Sequence, residues 1–508
     1  MKLMSTSLIM LLISVFSAIL GLLRETLLAK YFGISREMEA FVIASFLPLV
    51  VLPAIGKALT TSFIPVYLNL KEESESKALK FYEQVKKCIS FLGIVSMIVL
   101  GIGSILYVYG IGEFQNSSMN DLLLYMILIL LPTILMFNIH GIERGRHQAE
   151  NSYLFPSISN LFINVFFIVS IIFGAYFNDI RYLCYGLLVA SFSQMYLLLK
   201  TKRTRLHTTV REKWWRSQGV RRFWGFFFPA ILSSIAPTIP MLLARFLTGN
   251  FREGALVSLN YAFTIASLPI LLLAMSSFSI LYTLFSKSFV SKEFKKIGIQ
   301  LNNSISFLTI VLIPSTVFVI YFSEEIIRVL FERGAFDERA TLLTAASLNI
   351  FILGLYPTAI RELLLRFCFA TSNKRTPFIS SVILLITSMA FTVLFCLEFN
   401  QYGVPWAIFI ANIITVVYMF TKNKEYMSYS LIWTLIKKLI FILMISIVNI
   451  LLVKNLIENS WLLKSGPIVI LICSMLLYFT FYIVSLCIFK NKEIMLVLKT
   501  LRSKIKKN

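Results

Sequence analysis

The stretch Ala40-Phe41-Val42-Ile43-Ala44-Ser45-Phe46-Leu47-Pro48 returns later as Ala262-Phe263-Thr264-Ile265-Ala266-Ser267-Leu268-Pro269. A second pair follows it. Ile89-Ser90-Phe91-Leu92-Gly93-Ile94-Val95 returns as Ile305-Ser306-Phe307-Leu308-Thr309-Ile310-Val311. The step from Ala40 to Ala262 nearly equals that from Ile89 to Ile305, which marks one internal duplication. Both pairs lie in apolar runs of about 20 residues or more, the length that carries a helix across a bilayer.

Composition extends that reading to the whole chain. Of 508 residues 58% are hydrophobic and only 14% charged, with a mean hydropathy of +0.81. A soluble domain carries about 25% charged residues, so a soluble enzyme and a disordered chain are both excluded. Apolar runs between charge clusters give spans near 5–29, 41–66, 88–110, 120–139, 154–176, 181–199, 223–248, 256–286, 304–323, 341–370, 376–397, 402–421, 435–455 and 465–489. The expected fold is an all-α polytopic membrane protein of about fourteen helices. The first run is too long for a signal sequence and reads as a permanent helix.

The duplication spaces the halves by six spans. An even number keeps both halves in one orientation, which predicts two six-helix lobes with a central site. The domains are expected at 1–216 and 217–424, with 425–508 adding two helices and a basic tail.

The chain has 48 Lys and Arg against 25 Asp and Glu, a net charge of +23. On a soluble protein such an excess would suggest nucleic acid. Placed on the spans, 34 bases fall on one side and 9 on the other, which sets both termini in the cytoplasm and leaves nucleic acid without support. The tail residues Ile494, Leu498, Leu501 and Ile505 form an apolar stripe between lysines, and Trp214-Trp215 beside Arg216 suits a membrane interface.

The six cysteines are scattered without paired spacing and read as apolar packers. His140, His147 and His207 fall in loops on the cytoplasmic side. No HExxH, Walker or GxSxG pattern occurs, so no catalytic residue, metal or cofactor is expected.

What remains is a handful of charges inside the spans. Lys57 lies between the uncharged runs 40–56 and 58–70, in a segment carrying Pro48, Pro53 and Pro65. A charge at that depth faces a water-filled cavity or a buried partner. Arg24 follows the uncharged run from Leu3 to Leu23 and either snorkels outward or attracts an anion. Glu39 is a counter-charge for it or an exposed acid at a helix start. Arg245 ends a span as an anchor or a cavity residue, while Arg361 and Arg366 read as interfacial, with Glu362 as a local partner.

Several segments carry a resemblance. Gly21-Leu22-Leu23-Arg24-Glu25, Tyr31-Phe32-Gly33, Glu39-Ala40-Phe41 and Ser62-Phe63-Ile64-Pro65-Val66 resemble the N-terminal signature of the MurJ/MviN lipid II flippases. Glu253-Gly254-Ala255, Leu259-Asn260-Tyr261-Ala262, Leu330 to Asp337, Arg361-Glu362-Leu363-Leu364 and Lys374-Arg375-Thr376-Pro377 are similar to later family segments. The resemblance implies fourteen helices, alternating access, and cavity arginines facing a polyprenyl-pyrophosphate-linked glycan. Arg24 stands at a family arginine position and Glu39 where an Asp is usual. Ala18, Leu52 and Thr264 stand where cavity arginines are common, with Lys57 restoring part of that charge. The candidate substrate-binding set is therefore Arg24, Lys57, Glu39 and Arg245. The expected partners are a lipid-linked glycan and membrane lipids of the bacterial cell membrane. Exopolysaccharide, capsule and teichoic-acid-type precursors are alternative cargoes. A cation-coupled drug exporter fits less well, because buried acids are scarce. A membrane glycan polymerase lacks the large outer loop it would need.

Overall fold

The computed structural model describes residues 2–110, 117–201, 217–247, 251–273, 278–371, 373, 375–426, 429–458 and 466–489. All the regular elements among them are helices. The first eight are α1 (Lys2–Phe32), α2 (Arg36–Phe46), α3 (Leu52–Glu73), α4 (Glu75–Gly110), α5 (Ser117–Leu130), α6 (Thr133–Ala149), α7 (Leu154–Phe177) and α8 (Arg181–Thr201). Then come α9 (Gln218–Ile235), α10 (Ile239–Phe246), α11 (Ala255–Leu273), α12 (Ser279–Val290), α13 (Phe294–Tyr321) and α14 (Ser323–Phe331). The last are α15 (Glu338–Leu353), α16 (Leu355–Ala370), α17 (Arg375–Phe399), α18 (Gly403–Lys422), α19 (Tyr429–Glu458) and α20 (Pro467–Ile488). The tail stripe 494–505, Trp214, Trp215 and His207 lie outside the described residues.

Among the described residues ten helical runs are long and apolar enough to span a bilayer, or eleven if α15 and α16, bent by 41°, form one span. The run 36–73 joins α2 and α3 through a π-helical turn at Leu47–Val51. Pro48 and Pro53 thus widen the helix without unwinding it, and the Leu52 N–H reaches back to the Leu47 carbonyl. Spans 376–397 and 402–421 lie in one run, Arg375–Lys422, where the turn Asn400–Tyr402 is itself helical.

The chain forms two compact units. One comprises Met1–Tyr261, Arg333–Ala340 and Ser381–Ala407; the other holds Ala262–Glu332, Thr341–Ser380 and Ile408–Asn508. In the first, α3 lies along α6 and α9, and α7 packs on α1 and α8. Gly141 permits the α3–α6 approach, since a Cβ there would sit 3.0 Å from the Gly56 Cα. An aromatic core of Phe63, Tyr67, Phe81 and Phe223 fills the space among α3, α4 and α9.

In the second unit α19 packs on α13 and α20. Pro314 inside α13 has no N–H, so the Ile310 carbonyl four residues earlier loses its helical partner. The Tyr482 hydroxyl on α20 donates to that carbonyl at 2.8 Å, and the Tyr478 hydroxyl donates to the Pro314 carbonyl at 3.1 Å. Tyr482→Phe should therefore lower stability by about 1–3 kcal/mol, the cost of an orphaned buried carbonyl. An unchanged thermal unfolding midpoint would contradict this account.

The duplication is visible in local structure. At one common offset, Ala149, Pro156 and Ser159 match Ala370, Pro377 and Ser380. The Ser159 hydroxyl donates to the Pro156 carbonyl at 2.9 Å, and Ser380 repeats this toward Pro377 at 2.8 Å. The N–H of Ser152 reaches the His147 carbonyl at 2.8 Å, as that of Asn373 reaches the Cys368 carbonyl at 2.9 Å. Both mark the same helix ending. Asn178 and Asn400, nearly the same step apart, share a left-handed backbone with φ of 52° and 50°.

Candidate functional site

The four residues singled out above fall in three places, all in the first unit. Arg24, on α1, is 17% exposed at its side chain and pairs with Glu25 at 2.5 Å. Its Nη1 donates to Asn164 Oδ1 at 3.3 Å, and its guanidinium sits 5.4 Å from the Phe167 ring centroid. Its partner is thus the adjacent residue and not Glu39.

Glu39 is 5% exposed, neither an exposed acid nor a mate for Arg24. Its Oε1 accepts the Gly254 N–H at 2.8 Å, just ahead of α11. A carboxylate there satisfies an orphan donor and meets the positive end of the helix. Arg245 is 4% exposed, with its guanidinium 3.9 Å from the Phe46 ring centroid. It donates to the carbonyls of Met241 and, at 3.4 Å, Val42. Glu39 and Arg245 therefore both fasten α2 to the segment 241–254.

Lys57 is exposed one residue past the Gly56–Gly141 crossing. Leu52 is buried with Leu131, Ile134 and Phe137. That position contributes no charge here.

Around Glu39 the family-like segments meet. Gly33, Gly254 and Gly334 have φ of 56°, 80° and 63°, the left-handed region that glycine enters without penalty. A Cβ on Gly33 would collide with the Ala335 carbonyl, one on Gly334 with the Lys30 carbonyl, and one on Gly254 with the Ile34 side chain. The Ala335 N–H donates to the Lys30 carbonyl at 2.9 Å, and Tyr261 meets Phe336 edge-on at 5.7 Å. Arg36 pairs with Glu253 at 3.2 Å. The turns at Gly33 and Gly334 are thus interlocked at backbone range, and the turn at Gly254 closes on them through the Ile34 and Glu39 side chains.

Sequence reasoning misses a further cluster. Arg144, Arg146, His140 and His147 read as loop residues, yet α6 continues to Ala149 and carries all four. Glu143 is 1% exposed; it accepts from Lys86 Nζ at 3.1 Å and from the Tyr82 hydroxyl. Arg146 stacks over Tyr82 at 4.5 Å and reaches Glu150 at 3.4 Å, while Tyr67 donates to Glu150 at 2.7 Å. The Glu143, Arg146 and Glu150 spacing, near one helical turn each, is the available signal. In the second unit Arg361 is buried and pairs with Glu362 at 2.8 Å, the local partner expected. All six cysteines are free.

A family model described as lipid II flippase MurJ matches residues 28–472. A lipid II flippase MurJ of Thermosipho africanus is 26% identical over 431 residues, covering 84% of this chain and 87% of that relative. A probable lipid II flippase MurJ of Thermotoga maritima is 23% identical over 417 residues, 80% of this chain and 83% of that one. Among solved structures, a lipid II flippase MurJ in an inward closed conformation matches with a TM-score of 0.82 at 25% identity, covering 96% of this chain and 100% of the other. An inward-facing multidrug resistance MATE transporter shares the fold, with a TM-score of 0.66 at 12% identity over 84% of this chain and 99% of its own.

Proposed function

The chain belongs to the lipid II flippase MurJ family, and on that premise we propose that it moves lipid II from the cytoplasmic to the outer leaflet of a bacterial cell membrane by alternating access. The observation that carries this reading is the family match across residues 28–472, which takes in both copies of the duplication. The work is transport, with no bond made or broken. A pyrophosphate-sugar headgroup cannot cross hydrocarbon unaided, whereas the polyprenyl tail need not leave it. Arg24 and Lys57 supply the cations that meet the headgroup phosphates through charge-assisted hydrogen bonds. Glu39 and Arg245 serve transport indirectly, by holding α2. The distribution of basic residues supports cytoplasmic termini. On that orientation the turns at Gly33, Gly254 and Gly334 lie at the outer end of the first unit.

Expressed in cells depleted of their own lipid II flippase, the chain should restore growth and deliver lipid II to the outer leaflet. Lipid II still trapped inside, with the protein folded in the membrane, would overturn the assignment. Arg24→Ala and Lys57→Ala each remove a charge-assisted contact of about 1.5–3 kcal/mol, so each should slow transport roughly tenfold to a hundredfold. Normal transport by both variants would remove the cationic headgroup site.

A further inference from the structure

Arg24 does not stand alone on its helix. Ser17, Gly21 and Arg24 share one face of α1 at helical spacing, and Asn164 of α7 lies against all three. A Cβ on Gly21 would come 3.9 Å from Asn164 Oδ1, ordinary van der Waals contact, so the amide packs directly over this face. Asn164 Nδ2 donates to the Ser17 carbonyl at 3.0 Å and lies 3.2 Å from the Ser17 hydroxyl. Those bonds fix which way the amide points, and its oxygen is thereby turned to Arg24 Nη1. Phe167, fully buried one turn along α7, backs the guanidinium.

The other arm of Arg24 is held by Glu25, which is 4% exposed. Neighbours in a helix project about 100° apart, so this pair forms only with both side chains swung together. The pairing is incomplete: among the described residues Arg24 Nε and Glu25 Oε2 are buried without a hydrogen-bond partner. A guanidinium with a spare donor, held by one carboxylate oxygen, is poised to exchange that carboxylate for a phosphate.

We propose that Asn164 is a positioning residue that aims Arg24, and that Glu25 is a resident counter-ion which the lipid-linked diphosphate displaces on binding. The proposal rests on the reading of Arg24 as a headgroup cation. Displacement leaves the Glu25 charge buried and uncompensated, which holds affinity down and favours release on the far side.

The test is equilibrium binding of purified lipid II to the full-length chain in detergent. Asn164→Ala should weaken binding about tenfold, and Asn164→Asp, of equal size and so kinder to the fold, should weaken it as well by competing for Arg24. Glu25→Gln should tighten binding severalfold while slowing transport in liposomes. In an Arg24→Ala background Asn164→Ala should have no further effect, since a positioning residue acts only through the group it positions. Unchanged binding in both Asn164 variants, an equal loss with and without Arg24, or weaker binding in Glu25→Gln would each overturn the proposal. Wild-type binding by Arg24→Ala would overturn it together with the cationic headgroup site.

Discussion

Gly33→Val is expected to leave no folded protein in the membrane, and Gly33→Ala to lower stability by about 3 kcal/mol or more. Two costs combine. The backbone at Gly33 has φ of 56°. There an L-residue pays about 1–2 kcal/mol and a β-branched one considerably more. The new Cβ would also strike the Ala335 carbonyl. Ala335 cannot retreat freely, because its own N–H is bonded to the Lys30 carbonyl at 2.9 Å. Gly334→Ala meets the same obstacle from the other side, against the Lys30 carbonyl itself. Gly103→Ala is the control, since it lies in α4 with no atom within 4 Å of the added carbon. It should stabilise by about 0.5–1 kcal/mol. Unfolding can be followed with a thiol-reactive dye, since Cys88, Cys184, Cys368 and Cys396 are buried and free. A Gly33→Ala protein that melts with wild type would refute the interlock.

The contrast between Gly33 and Gly103 shows why the chain is only partly legible. Hydropathy reports how much of a segment avoids water, so the all-helical membrane class can be read directly, whereas against the fourteen spans expected the described residues hold ten or eleven runs long and apolar enough to cross. The duplication can be read as well, because apolar segments such as 40–48 and 262–269 keep their order. The meeting of residues 33, 254 and 334 cannot, since nothing local encodes which distant turn a glycine must approach. Charges are the weakest point. A window average does not distinguish a loop from a helix whose charges neutralise one another, so the hydropathic span stops at residue 139 while α6 runs on to Ala149. Glu39 illustrates the same limit on a single residue. An acid near a helix start is recognisable, but the helix whose N-terminus it serves is the distant α11, which begins only at Ala255. Arg24 is legible as a cation within a span, whereas its partners Glu25 and Asn164 require coordinates.

The cluster hidden in α6 carries the second large expectation. Glu143→Ala should lower stability by about 3–5 kcal/mol, the usual result of removing one member of a buried charge pair. Lys86 would lose its carboxylate at 3.1 Å, and the Tyr82 hydroxyl its acceptor. Arg146 would still have Glu150, at 3.4 Å. Removing Lys86 instead should cost less, because the Glu143 carboxylate left behind, 1% exposed, keeps the Tyr82 donor and the neighbouring positive charge of Arg146. The pair need not be stabilising in itself, because desolvating both charges offsets much of their attraction. Lys86→Met with Glu143→Leu should therefore melt above Glu143→Ala alone, although it carries one more substitution. Thermal unfolding of the three variants decides the matter. If the double variant is the least stable, the cluster holds α4 to α6 by net attraction. If Glu143→Ala is the least stable, what the α4–α6 packing cannot tolerate is the unanswered charge of Lys86.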